Sequence, residues 1–172
     1  MKMKRLVTLL AGVGMLLSAA MAHAADSALS SEANAAYLAN NARQPGVVVR
    51  PSGLQYRIIK SGYGLRPAAG DTVQVYYKGS LINGKQFDAT EPGFPAAFKP
   101  SDLIPGWTEA LELMREGDHW QLVIPSNLGY GTRGAGNGTI PPNQTLVFDL
   151  ELLKVIPAPP SQSKDNQQGG GG

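Results

Sequence analysis

Apolar side chains recur at every second position in three stretches of this chain. Val73, Val75 and Tyr77 fall on one side of an extended segment and Thr72, Gln74 and Tyr76 on the other. Trp120, Leu122 and Ile124 alternate with His119, Gln121 and Val123, and Leu146, Phe148, Leu150 and Leu152 alternate with Val147, Asp149 and Glu151. Successive side chains of a strand point to opposite faces, so each stretch predicts a half-buried strand. Leu54 to Ile59 predicts another, followed by a turn-rich loop from Lys60 to Asp71. Asn83-Gly84 marks a hairpin, because both residue types accept the positive φ that tight hairpin turns require.

The period changes between Pro105 and Met114. Trp107, Ala110, Leu111 and Met114 recur at three- and four-residue steps, and Pro105 suits the first turn of a helix. No strand–helix–strand repetition surrounds it. The expected class is α+β: an antiparallel, twisted β-sheet wrapped over one short α-helix. A second short helix is expected ahead of the sheet, from Ser31 as N-cap to Arg43, with Ala33, Ala36, Tyr37 and Asn40-Asn41 at helical spacing and Pro45-Gly46 ending it. Its weak apolar face suits packing on the domain or on a second copy, and equally a linker with only nascent helicity.

The ends read differently. Lys2, Lys4 and Arg5, the apolar run Leu6 to Ala20 and the small residues Ala22 and Ala24 have the layout of a cleaved export signal; the run is too short for the roughly 20 apolar residues of a membrane span. The expected organisation is a signal peptide over 1–24, a short helical segment over 25–46, one β-rich domain over 47–156 and a disordered Pro- and Gly-rich tail over 157–172. Removing the leader takes three basic residues and no acidic one, leaving 12 basic against 13 acidic, so the net charge of +2 belongs to the leader. That balance gives no basic face for nucleic acid. The mature product is expected in the periplasm or secreted, without a membrane anchor.

Composition removes most catalytic chemistries. There is no cysteine, and His119 is the one histidine after the leader, so thiolate nucleophiles, histidine triads and histidine metal clusters lack material. His119 itself is expected on the outer face of its strand, solvated. Gly131, Gly134, Gly136 and Gly138 precede no Lys-Ser/Thr pair, so a flexible hairpin loop is expected there in place of a phosphate cradle. No cofactor or metal is implied.

What remains is a supply of aromatic residues near turns. Val75-Tyr-Tyr-Lys-Gly79, Asn83-Gly-Lys-Gln-Phe-Asp88, Leu103-Ile-Pro-Gly-Trp107, Gly129-Tyr-Gly131 and Ile140-Pro-Pro-Asn-Gln-Thr-Leu-Val-Phe-Asp149 resemble, in order and together, the FKBP-type peptidyl-prolyl isomerases. The Ser52-Gly-Leu-Gln-Tyr56 lead-in and the leader are similar to the exported macrophage-infectivity-potentiator branch. That branch carries a long helical dimerisation region, of which only the last stretch is visible here, so a monomer or weak dimer is expected. The resemblance implies a chaperone-like folding role: rotation about Xaa-Pro bonds in unfolded or partly folded exported polypeptides, with macrolides such as rapamycin as inhibitors.

By the same resemblance Trp107 is the floor of a proline pocket and Tyr77, Phe87 and Phe148 are its walls. Phe98 lies beside them, Leu103 and Ile104 line the entrance, and Ile140 borders the site. Tyr130 donates a hydrogen bond to a substrate carbonyl and Asp88 orients polar contacts, so the catalytic group is Asp88, Tyr130, Phe148 and Tyr77. Three departures stand out: Ala96 replaces a wall aromatic, the Glu91 to Ala97 segment is shortened and lacks a basic partner for Asp88, and the Gly-rich loop is one residue longer. A peptide-binding or chaperone module with little catalysis, or a domain recruiting one partner, uses the same apolar residues.

Overall fold

In the computed structural model, which describes residues 27–159, one long strand organises the rest. The proposed leader over 1–24 and the tail from 160 onward lie outside the described residues. Helix α1 (Ser31–Asn41) leads into strands β1 (Val47–Val49), β2 (Gln55–Lys60), β3 (Thr72–Leu81), β4 (Gln86–Ala89) and β5 (Ala96–Phe98). Helix α2 (Pro105–Leu113), β6 (His119–Ile124) and β7 (Leu146–Ile156) follow. The order across the sheet is β1-β2-β6-β7-β3-β4, with β5 also on β3, and every pairing is antiparallel. The α+β expectation holds, as do the helix near 105–114 and the strand alternation.

Strand β3 pairs with β7 from Thr72 opposite Ile156 to Leu81 opposite Leu146. Its inward residues Val73, Val75 and Leu81 meet Leu122, Ile124, Leu146 and Leu150 in a core with almost no solvent exposure. Helix α2 lies across that face and buries Trp107, Ala110 and Leu111. Pro105 occupies its first turn, and Gly106 lets its backbone reach the sheet, since a Cβ there would stand 2.6 Å from Ile124 Cγ2. The alternation read in β7 ends at Leu152 because the register with β3 shifts between Gln74 and Val75: Gln74 faces Lys154 and Val75 faces Leu152. The extra residue, Leu153, is a bulge, and burial resumes at Val155.

Three details correct the sequence reading. Helix α1 ends at Asn41 and not Arg43, and its N-cap is Ser30 and not Ser31, with Ser30 Oγ accepting the Ala33 N–H at 3.1 Å. Its buried residue is Asn34 and not an alanine, because the helix docks through amides that an apolar-spacing argument cannot register. Gln55, Val123 and Val147 share the outer face by register, and α1 bonds to Gln55 through Asn41, so the helix lies over this end of that face. Val123 is therefore buried although it alternates with interior side chains. His119 is half-buried and not merely solvated: its Nε2 lies 2.7 Å from Asp149 Oδ1 on the neighbouring strand.

Candidate active site

The site begins with Trp107, buried in the first turn of α2. Three rings stand nearly perpendicular to its indole: Tyr77 at 5.3 Å and 87°, Phe148 at 5.2 Å and 86°, and Phe98 at 6.1 Å and 89°. Phe87 extends the wall by an edge contact with Phe148 at 5.5 Å and 84°. Edge-to-face pairs at these separations are attractive by about 0.5–1.5 kcal/mol beyond their buried area, so the cage is held open by its own contacts. The rings come from β3, β4, β5, β7 and α2. Gly79 makes the Phe87–Phe148 contact possible, since a Cβ at Gly79 would lie 2.6 Å from Phe148 Cε1 and 2.6 Å from Phe87 Cε2.

Tyr77 is fixed at both ends. Its N–H donates to Thr90 Oγ1 at 3.1 Å, its carbonyl accepts from the Thr90 N–H at 3.0 Å, and its hydroxyl donates to Asp88 Oδ2 at 2.6 Å. The last is a charge-assisted bond, short and directional. Burial first, then the bond to Asp88 and the carboxylate's charge, push the Tyr77 hydroxyl above the ordinary tyrosine range. Burial and then the Asp88 charge raise Tyr130 as well. Both hydroxyls therefore stay protonated and able to donate at neutral pH. The ion pairs of the described residues, Arg50–Glu109 and His119–Asp149, do not involve Asp88.

These side chains enclose a cavity of about 190 Å³ lined by Tyr77, Phe87, Asp88, Phe98, Leu103, Ile104, Trp107, Tyr130 and Phe148. It is smaller than the roughly 300–1,000 Å³ usual for drug-sized ligands and suits one small apolar ring with part of a chain. Tyr130, 39% exposed, stands at the mouth. Ile140 is the expected site residue that the lining omits: it is 6% exposed, packs into the core and bridges Ala135 at the base of the Gly-rich loop. Ala96 faces Val75 across β5 and β3, packed against the core. Thr90, which brackets Tyr77, carried no sequence signal, because a threonine beyond a hairpin is ordinary turn chemistry.

A larger cavity of about 400 Å³ opens near Tyr76, Tyr77, Lys78, Asp149 and Glu151 of β3 and β7 and near Thr90, Pro92 and Gly93. It is more open than the ring cage and carries three charged side chains, Lys78, Asp149 and Glu151, against the cage's one, so the cage is the better candidate for an apolar ligand. Among the described residues, no three His, Asp or Glu side chains are grouped to hold a metal, and no helix is long and apolar enough to cross a membrane.

Comparison with known proteins agrees with this geometry. Residues 64–153 match the profile of the family described as FKBP-type peptidyl-prolyl cis-trans isomerase, and residues 4–58 match that of the domain amino terminal to it. The outer membrane protein MIP of Legionella longbeachae is 52% identical over 121 residues, covering 70% of this chain and 52% of that protein. The FKBP-type 22 kDa peptidyl-prolyl cis-trans isomerase of Escherichia coli is 50% identical over 70% of this chain and 58% of its own length. The chain thus spans little more than half of these curated relatives. The crystal structure of FkpA from Escherichia coli aligns with a TM-score of 0.72 and 43% identity, covering 85% of this chain and 68% of that one. A peptidyl-prolyl cis-trans isomerase from Pseudomonas syringae aligns at 0.69 and 38%, covering 77% and 96%.

Proposed function

The chain belongs to the FKBP-type peptidyl-prolyl cis-trans isomerase family, and from that premise we propose that it catalyses rotation about Xaa-Pro bonds, with the prolyl ring seated over Trp107. The convergence of Tyr77, Phe98 and Phe148 on the Trp107 indole carries this reading, because it makes a ring-walled recess of about 190 Å³ that suits a prolyl ring.

The chemistry follows from the amide. A planar amide is stabilised by resonance, and twisting it meets a barrier of roughly 18–20 kcal/mol. The twisted state has lost the charge separation of the planar one, so a cavity that strips water disfavours the planar ground state relative to the twisted one. Shape adds to this, because rings fixed at right angles accept the pyrrolidine in one pose. Tyr130 at the mouth donates to a substrate carbonyl, and Asp88 holds Tyr77 upright as a wall. No nucleophile is called for, in keeping with a chain that has no cysteine.

The substrates on this reading are proline-containing segments of unfolded or partly folded exported polypeptides, met in the periplasm after the leader is removed. Macrolides such as rapamycin compete for the same recess, and the protein acts as a monomer or weak dimer. The test is a protease-coupled isomerisation assay on a Leu-Pro or Phe-Pro peptide, with and without rapamycin. Acceleration abolished by the macrolide supports the reading. No acceleration, with aggregation of an unfolded client still suppressed, replaces it with a holdase.

A further inference from the structure

Helix α1 is joined to the domain by a buried amide cluster that grips the chain segment leading into β7. Asn34, 5% exposed, uses its whole side chain: Oδ1 accepts the Thr145 N–H at 2.7 Å, and Nδ2 donates to Ser30 O at 2.9 Å, Leu29 O at 3.2 Å and Gln144 Oε1 at 3.2 Å. Gln144, 6% exposed, returns its own Nε2 to Leu29 O at 3.1 Å and to Pro142 O at 3.0 Å. A satisfied polar network of this kind fixes geometry more strictly than apolar contact, since each displaced partner leaves a buried group unpaired.

The segment it grips is linked to two site residues, Tyr130 and Phe148, through their chain neighbours. One residue before Gln144, the Asn143 N–H donates to Gly131 O at 2.8 Å, and Gly131 follows Tyr130. Asn143 sits at φ +61°, a left-handed turn conformation that asparagine tolerates better than most residues. On the other side, Thr145 opens directly into β7, which carries Phe148 three residues later. The bonds at the opposite end of α1 go to β2 and to no residue lining the cage: Asn41 Nδ2 donates to Gln55 Oε1 at 2.8 Å, and Gln55 Nε2 donates to Leu38 O at 3.0 Å.

We infer that α1 is a positioning element of the isomerase site, in which Asn34 holds the Pro142–Thr145 segment and through the Asn143–Gly131 bond sets where Tyr130 presents its hydroxyl. The inference rests on the isomerase reading for its catalytic consequence, and on geometry alone for the coupling. The two ends of the helix are then unequal. The Asn34 end tunes the site, and the Asn41 end only anchors the helix.

The test uses the whole chain and a Leu-Pro peptide. Asn34→Ala is expected to lower kcat/KM roughly three- to tenfold, within the range of couplings between residues sharing a network. Combined with Tyr130→Phe it should lose less than the product of the single losses, whereas Asn41→Ala should keep wild-type activity. Amide exchange at Asn143 should quicken in Asn34→Ala, a readout independent of catalysis. Gln144→Ala serves the same purpose should Asn34→Ala not fold. A folded variant with unchanged kcat/KM and unchanged Asn143 exchange, multiplicative losses with Tyr130→Phe, or an equal loss in Asn41→Ala overturns the inference. A wild-type chain that does not isomerise, with faster Asn143 exchange in the variant, removes the catalytic reading and leaves the coupling standing.

Discussion

The Tyr77 hydroxyl donates a 2.6 Å hydrogen bond to Asp88 Oδ2 across the β3–β4 hairpin, tying a wall of the cage to its one carboxylate. Gly79 pairs with Asp88 in that hairpin, so the register of the strands sets the bond as much as the side chains do. Asp88→Ala should therefore free the Tyr77 ring and lower kcat/KM by about tenfold, the lower end of what losing a bond to a charged group costs. Tyr77→Phe removes the same bond, and the double variant should be little worse than either single one. Additive losses in the peptide assay would mean that the two residues act separately.

Phe148 touches Tyr77, Phe87 and Trp107 at centroid distances of 6.5, 5.5 and 5.2 Å and is 4% exposed. Truncation to alanine should cost about 3–5 kcal/mol of stability, as for other buried aromatics. That variant cannot separate packing from catalysis. Phe148→Leu keeps an apolar side chain while losing the perpendicular ring, so it should cost less stability than truncation to alanine yet isomerise more slowly. Full activity in a folded Phe148→Leu chain would take the ring out of the mechanism.

Gly79→Ala tests whether the cage tolerates strain from behind. The added methyl would sit 2.6 Å from two phenyl rings at once, so one ring must leave its rotamer or the strand must shift. Overpacking of this kind costs about 1–3 kcal/mol. Gly84 is the control: nothing lies within 4 Å of its Cβ position, but its φ of +83° penalises a side chain through the backbone alone. Urea midpoints should fall for both, with activity lost only in Gly79→Ala. Loss of activity in both would point to the hairpin as a whole and not to the rings.

Strand alternation and the switch to three- and four-residue spacing were enough to read β3, β6, β7 and α2, because one face of each is drier than the other over most of its length, the covered end of β6 at Val123 excepted. The aromatic set was legible only through its block-by-block resemblance: Tyr77, Trp107 and Phe148 have the same periodicity as plain core. Ile140, carried over by the same resemblance, lies in the core cluster that also holds Trp107 and Phe148, beside the Gly-rich loop. The Asn34 cluster was invisible for a different reason. Amide side chains that pair with main-chain groups 111 residues away leave no local period, and only the fold brings Asn34 to Thr145.

Alkaline titration gives a check that needs no substrate. Burial and the nearby Asp88 carboxylate raise Tyr77 and Tyr130, and burial raises Tyr37, so in the folded chain these hydroxyls hold their protons beyond the ordinary tyrosine value of about 10. The unfolded chain would ionise them at that ordinary value. It therefore binds fewer protons than the native state once pH passes about 10, so stability from these groups is complete below that point and is withdrawn as pH rises toward the folded values. Absorbance at the tyrosinate band should show part of the signal of the six tyrosines delayed beyond the rest, and Tyr77→Phe should remove the most delayed portion. Isomerisation followed by magnetisation exchange should stay level from pH 7 to 9, since neither hydroxyl in the cage ionises there. Synchronous titration of all six tyrosines near the ordinary value in a folded chain would contradict the burial and carboxylate contact on which the cage's hydrogen-bond donors depend.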